Sequence, residues 1–223
     1  MIPGRPFIDF GWIVGHLGAI AERILQHLQL TILPLLLGIV ISLVLAIWAV
    51  RQPRVYGPIT VVTGLLYTIP SLAAFAIIIP IFGLTLIAAL IPLTTYTLLI
   101  LVRSFTAGFG AVPAEVLEAA EGMGYTRRQR LVRVELPLAV PLMIAGLRLA
   151  SVTTIGLATI VAVLGNSFGG LGQLITEGIQ NLFPTEYILG AALSVVLAFA
   201  ADFLFVRFER LITPWAHARA GST

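Results

Sequence analysis

Long apolar runs alternate with short polar stretches along this chain, and the pattern predicts membrane-spanning helices. A helix needs about 20 apolar residues to cross the hydrocarbon core of a bilayer. Pro34, Pro70 and Pro92 lie within such runs, where neighbouring helices can satisfy the backbone groups that proline leaves free. The five predicted spans cover approximately residues 28–50, 59–79, 84–102, 142–164 and 187–206. The chain is therefore predicted to be an all-α, polytopic membrane protein, without a visible internal repeat.

Composition agrees with the membrane class and excludes several kinds of site. Hydrophobic residues make up 59% of the 223 residues and charged residues only 10%, whereas charged residues make up about a quarter of a soluble domain. The chain has no Cys, which excludes disulfides and thiolate metal sites. All 13 basic residues are Arg, so the lysine of a P-loop is missing. We therefore expect no catalytic residue, metal or cofactor here, and expect any ATP and Mg²⁺ to be bound by partner subunits.

The arginines predict an orientation in the membrane. Ten of the 13 follow the first span, lie between the third and fourth, or follow the fifth, which places them on one side. The other side has Arg5 and Arg23, and its loop 165–186 has none. By the positive-inside rule, the amino terminus is predicted outside and the carboxyl terminus in the cytoplasm. The net charge of +3 is then explained by topology better than by nucleic-acid binding.

The first 27 residues lack the basic region, compact apolar stretch and cleavage site of a signal peptide. Asp9 and His16 interrupt their apolar character, and Phe7, Phe10 and Trp12 are aromatic residues typical of the membrane surface. We interpret residues 1–27 as an external, interfacial segment.

Residues 118–137, EAAEGMGYTRRQRLVRVELP, form a charged island that cannot be part of a span. The preceding Pro113 opens a short predicted helix, with Glu115 and Glu118 near its start, where the helix dipole favours acids. Gly124 can adopt the left-handed conformation that ends such a helix.

A second short helix is predicted after Gly124. Thr126 and Gln129 have the spacing of a capping box, and Pro137 is expected to stop the helix. Ala119 and Ala120 leave the first helix with a bare patch, which another protein's backbone could approach closely.

The island resembles the EAA loop of permease subunits in binding-protein-dependent ABC importers. The matching residues are Glu118, Ala119, Ala120, Gly124, Leu136 and Pro137. This resemblance implies a MetI-like permease fold, and coupling helices that occupy a cleft of an ATPase subunit. It also implies two ATPase subunits, a second permease subunit, an extracytoplasmic substrate-binding protein and a bacterial plasma (inner) membrane location. The alternative is an ordinary amphipathic cytoplasmic loop.

On this interpretation residues 28–214 are the transmembrane permease domain, with the coupling loop at 104–137, and residues 215–223 are a cytoplasmic tail. Further stretches are similar to osmoprotectant importer permeases, which move glycine betaine, choline, carnitine or proline. These stretches are 68–73, 122–124, 134–137, 145–148 and 169–172. The chain departs from that branch at Ser104, at Leu157 and at 166–168.

Candidates for the substrate pathway come from the second, third and fourth spans. Tyr67, Tyr96, Ser71 and Thr153 are predicted to line it, although tyrosines in spans are more often packed or interfacial. Pro70 with Ser71 is expected to break or bend the second span, beside the pathway or only as a packing kink. Aromatic faces attract quaternary ammonium groups, but in this family the aromatic cage belongs to the binding protein.

The loop 165–186 is rich in glycine, including Gly169, Gly170 and Gly172. Non-helical backbone at membrane depth persists only where it is buried in protein or faces water. We expect this loop to dip back as a gate or as a dock for the binding protein; the alternative is a plain surface loop.

Arg148 and Asp202 are the only charges well inside spans. Intramembrane ions are costly and usually paired, so we predict that the two contact each other. A structural clamp is favoured over a proton relay.

Three alternatives remain open at this stage. The same machine could import an amino acid such as methionine, or an ergothioneine-like betaine. An ATP-independent channel or secondary transporter would favour inverted repeats or midplane charges. A membrane anchor without transport would leave the kinks and the glycine-rich loop unexplained. The sequence leaves undecided the cargo, osmotic or other regulation, and whether the second permease subunit is identical.

Overall fold

The computed structural model describes residues 7–165 and 168–213, and within these ranges the chain is helical between short connections. The helices in chain order are α1 (Phe10–Gly15), α2 (Leu17–Arg51), α3 (Pro53–Thr68), α4 (Ser71–Phe82), α5 (Leu86–Gly110), α6 (Ala114–Gly122), α7 (Arg127–Arg130), α8 (Leu136–Val161), α9 (Leu171–Gln180) and α10 (Pro184–Ile212). A π-helical segment, Leu131–Glu135, joins α7 to α8, and a 3₁₀ turn, Ala162–Leu164, follows α8.

Four of these helices are long and apolar enough to cross a membrane: α2, α5, the continuous helix Arg127–Leu164, and α10. The pair α3 and α4 passes the same test together but is bent by 90°. Counted as one broken span, it brings the total to the five that the sequence predicts. The all-α class is confirmed.

The bend in the second span occurs at Ile69 and Pro70. A residue before proline is displaced from the helical region, and Ile69 accordingly has φ −63° and ψ 126°. Helix α4 then begins at Ser71. The prediction that Pro70 breaks or bends this span is confirmed.

Helices α2, α5 and α8 pack together as the centre of the subunit. Fully buried side chains at this centre include Leu101 and Phe105. Small residues bring the backbones close, because a side chain at Gly38 would collide with Thr97, and one at Gly146 with Ser104. Such small-residue contacts are typical of helices in membranes.

Helix α10 packs on α8 and α9, but much of its apolar surface is exposed in the single subunit. Phe199 is 74% exposed and Leu211 is 78% exposed. Apolar side chains exposed along a span are expected to contact lipid or another subunit.

Several helices extend beyond the predicted spans, and two of these extensions reach into segments assigned otherwise. Helix α2 begins at Leu17, so the segment assigned to residues 1–27 contains the first three turns of the first span's helix. Polar side chains near the start of α2, namely Glu22, Arg23 and Gln26, bond to one another, and Gln26 also bonds to the glycine-rich loop. Helix α5 continues to Gly110 because Arg103 lies on an exposed face. The connection that carries the charged island is correspondingly shorter than 104–137.

The amino-terminal segment packs against the start of α10. The Asp9 amide donates to Thr185 Oγ1 at 2.9 Å, and the Trp12 ring meets the Phe183 ring edge-on at 5.3 Å. Phe7 and Phe10 are exposed. The predicted tail 215–223 and residues 166–167 lie outside the described residues.

Candidate coupling site and external helix

Helix α6 ends in the way that its glycines predict. Gly124 has φ +78°, a left-handed conformation that glycine adopts without a Cβ penalty. The Gly124 amide donates to the Glu121 carbonyl at 2.9 Å, and the Tyr125 amide to the Ala120 carbonyl at 3.1 Å. These two bonds form a Schellman motif, so the predicted cap is confirmed.

The next helix starts with the predicted capping box. The Gln129 amide donates to Thr126 Oγ1 at 3.3 Å, and the Thr126 amide donates to Gln129 Oε1 at 2.8 Å. The prediction that Pro137 stops this helix is wrong, because α7 continues through the π-helical segment into α8. A proline ring would clash with the Arg133 carbonyl in a regular α-helix. The wider π turn, in which the Leu136 amide bonds to the Leu131 carbonyl, accommodates it.

The residues that resemble the EAA loop differ in exposure. Glu118 and Ala119 are exposed, whereas Ala120 is 1% exposed. The expected bare patch is therefore limited to Ala119, because the Ala120 methyl group packs inside the subunit. Gly124 is open, with no atom within 4 Å of where a Cβ would lie. Leu136 and Pro137 are partly buried at the base of α8.

Arg130 connects the parts of this region. Its guanidinium makes an ion pair with Glu121, at the end of α6, and a second with Glu135, in the π-helical segment, with 2.7 Å between Nε and Oε1. These residues line a cavity of about 530 Å³ that is closed on its other side by the end of α2, including Arg51. Nothing in the sequence distinguishes Arg130 and Glu135 from ordinary surface charges, and neither is among the predicted site residues.

At the opposite end of the spans, the glycine-rich loop 165–186 contains helix α9. Gly169 and Gly170 have φ +66° and +79°, and the Gly170 amide donates to Gln26 Oε1 at 3.0 Å. Gln26 is itself fixed by Arg23 and Glu22, each at 3.1 Å. A cluster of polar side chains at the start of α2 thus holds the turn before α9.

Helix α9 lies buried among the spans. Leu171 and Leu174 are 0% and 4% exposed. A side chain at Gly172 would collide with the Thr159 carbonyl of α8, and one at Gly178 with the Tyr187 amide of α10. This close backbone packing excludes the alternative that residues 165–186 form a plain surface loop.

The predicted pathway residues are only partly brought together. The rings of Tyr67 and Tyr96 meet edge-on at 5.7 Å, beside the break between α3 and α4. Tyr96 is 5% exposed and its hydroxyl donates to the Ile69 carbonyl, so it satisfies a backbone group that the break leaves free. Tyr67 is 37% exposed. Thr153 lies on a separate helix, α8, where its hydroxyl bonds to the Leu149 carbonyl at 2.8 Å.

Arg148 and Asp202 contact each other across α8 and α10. The guanidinium donates from Nε to Oδ1 at 2.8 Å and from Nη2 to Oδ2 at 3.1 Å. This two-bond geometry is the strongest arrangement of an arginine with a carboxylate. The contact joins α10, much of whose surface is exposed, to α8 at the centre of the subunit.

Comparison with known proteins agrees with these features. Residues 38–214 match the family described as binding-protein-dependent transport system inner membrane component. The choline transport system permease protein OpuBB of Bacillus subtilis is 33% identical over 198 residues, 88% of this chain and 90% of that protein. The carnitine transport permease protein OpuCB of Listeria monocytogenes is 37% identical over 199 residues, 88% of this chain and 90% of that protein.

A third relative, the osmoprotectant import permease protein OsmW of Salmonella typhimurium, is 35% identical over 208 residues, covering 91% of this chain and 96% of that protein. Among solved structures, an inward-facing MetNI methionine ABC transporter superimposes with a TM-score of 0.76 at 25% identity, over 87% of this chain and 96% of that one. The chain belongs to the family of inner membrane components of binding-protein-dependent transport systems, and is a membrane permease subunit of the ABC importer type.

Proposed function

We propose that this permease passes a small osmoprotectant, such as glycine betaine, choline, carnitine or proline, across the bacterial plasma membrane. It would act with a second permease subunit, two ATPase subunits and an extracytoplasmic substrate-binding protein. The names of the relatives, which cover most of this chain at 33–37% identity, support the cargo class.

The observation that carries the transport role is the construction of residues 113–135. Helix α6 presents Glu118 and Ala119 outward, while its end is held to α8 through Arg130. A helix exposed in this way and fixed at its base can pass a push from a partner to the spans. We propose that the ATPase contacts α6, and that ATP-driven closure moves the coupling helices of the two permease subunits together, in an alternating-access cycle.

The orientation follows from the positive-inside rule. With α6 and α7 in the cytoplasm, α9 and the amino terminus are outside. Helix α9 then lies on the side from which the binding protein delivers the solute. We propose that α9, with Gly169, Gly170 and Gly172, acts as the external gate.

The pathway would pass the elbow between α3 and α4. Tyr67 is the tyrosine there with an exposed ring, and a ring face can attract a quaternary ammonium group. Tyr96 would hold the elbow instead of contacting the solute. Pro70 and Ser71 would form the edge of the passage, and Thr153 would face it from α8.

The test has two steps. An ATPase subunit that co-purifies with the wild-type chain, and is lost when Glu118→Lys is introduced, supports the coupling role. Purified complexes in vesicles are then assayed for ATP-dependent uptake of glycine betaine, choline, carnitine and proline, with methionine and ergothioneine as competing candidates. Uptake of methionine alone would favour the amino-acid importer, and uptake without ATP would contradict the proposal.

A further inference from the structure

The attachment of α6 to the rest of the subunit is narrow. A short link, residues 111–113, connects it to α5, and its packing contacts run to α7 and to the π-helical segment Leu131–Glu135. Toward the end of α2 there is a cavity instead of packed side chains. Besides the covalent link to α5, the main packed route from α6 to a span therefore runs through residues 127–135.

Arg130 is the side chain at the centre of that attachment. It contacts Glu121 of α6 on one side and Glu135 at the base of α8 on the other. The three side chains differ in exposure: Glu121 is 61% exposed, Arg130 26% and Glu135 12%. The chain of contacts thus leads from solvent into the base of a span.

The π turn is what aligns Arg130 with Glu135. Residues five apart in an α-helix point about 140° away from each other, because a turn takes about 3.6 residues. In a π-helix the fifth residue lies one turn on, above the first. Pro137, which has no amide and would clash in a regular helix, favours the wider turn.

We propose that Glu121, Arg130 and Glu135 form an ionic relay that fixes the coupling helix to α8, and that Pro137 maintains the π turn on which the relay depends. This inference rests on the proposed coupling role of α6. Arg130 is a positioning residue: it contacts neither solute nor nucleotide, and keeps ATPase-driven movement of α6 from being absorbed at the Gly124 joint.

The first test measures geometry and needs no partner. Because the chain has no Cys, spin labels at Val116→Cys on α6 and Leu149→Cys on α8 would be the only ones attached. The full chain in lipid nanodiscs should give one narrow distribution of label distances. Arg130→Gln and Pro137→Ala should each broaden it, and Arg130→Lys should broaden it less.

Arg128→Gln is the matched control, since Arg128 lies on the same short helix, is exposed, and makes no ion pair with any residue in the described ranges. It should leave the distribution unchanged. An unchanged distribution in Arg130→Gln would overturn the relay.

The second test measures coupling in vesicles that hold the full complex, with glycine betaine as the probe. Arg130→Gln should raise the ATP hydrolysed per solute taken up by about two- to fivefold, the factor expected when a partly exposed ion pair is lost. Arg128→Gln should keep the wild-type ratio. The relay is contradicted if the wild type takes up glycine betaine normally and Arg130→Gln hydrolyses no more ATP per solute than the wild type does. Absence of ATP-dependent uptake by the wild type would contradict the proposed function, and the label distances would still decide on the relay.

Discussion

Two short helices connect spans in this molecule, and they are built in opposite ways. Helix α6 is exposed, is tied to the subunit by ion pairs, and ends at Gly124, whose surroundings are empty. Helix α9 is buried, and its Gly172 lies directly against the α8 backbone. Gly124 allows the chain to turn at the end of α6, whereas Gly172 allows α9 to pack closely against α8. The exposed helix keeps its surface free for the partner proposed above, whereas the buried helix is packed into the spans.

Gly172→Ala should produce a large loss of stability. The new methyl group would meet the Thr159 carbonyl, and overpacking of this kind costs about 2–3 kcal/mol. Thermal unfolding in nanodiscs measures the effect. Gly156→Ala, on α8 with open space around it, is the control and should be neutral or slightly stabilising. Equal unfolding temperatures for the two variants would contradict the packing of α9.

The loss of a carboxylate should cost different amounts of stability in the Arg148–Asp202 contact, between spans, and in the Arg130–Glu121 contact, at the end of α6. Asp202→Asn leaves Arg148 without a charged partner inside the membrane, which should cost about 2–3 kcal/mol. Glu121→Gln breaks a solvent-exposed pair and should cost about 0.5 kcal/mol. The double variant Arg148→Leu with Asp202→Leu should be more stable than Asp202→Asn alone. A double variant less stable than Asp202→Asn would show that the pair stabilises the fold beyond mutual neutralisation.

Gln26→Ala tests the polar support of α9. It removes the acceptor for the Gly170 amide, and an unsatisfied amide should lower the free energy of unfolding by about 1–2 kcal/mol. Hydrogen exchange should increase in residues 168–174 and stay unchanged in α6. Faster exchange in both places would mean that the two connections are not independent.

Gly124→Ala should have a small effect on stability, about 1 kcal/mol, because the left-handed backbone is disfavoured once a Cβ is present. Space is not limiting there. Gly124→Asp should leave membrane insertion intact and uncouple uptake from ATP hydrolysis, since its side chain would project from the surface proposed for the ATPase. Full ATP-dependent uptake by Gly124→Asp would count against that surface.

Features set by neighbouring residues could be predicted from the sequence. The Gly124 cap, the capping box at Thr126 and the break at Pro70 each depend on a few adjacent positions with strong backbone preferences. The number of spans followed from apolar length. The contact between Arg148 and Asp202 was predicted for a different reason, since few charges occur within the membrane and each needs a partner.

Features set by tertiary structure could not be predicted in this way. Gln26 bonds to a residue 144 positions away, and nothing local to either residue indicates the contact. Ala120 resembles its exposed neighbour Ala119, but the turn of α6 buries one and exposes the other. Regular α-helical geometry predicts that the helix stops at Pro137, whereas the π turn accommodates the ring.

That π turn has a consequence for chain length. A π turn contains one residue more than the α turn it replaces, so deleting a single residue within Leu131–Glu135 would convert it to a regular turn. Because the wider turn takes up that extra residue, the deletion would leave α6 at nearly the same rotation about the helix axis, whereas a deletion elsewhere in the helix would rotate it by about 100° relative to the span. The regular turn would, however, meet the Pro137 ring with the clash that the π turn relieves. The cost of the deletion should therefore appear as a kink at the base of α8 and not as a change of rotational phase.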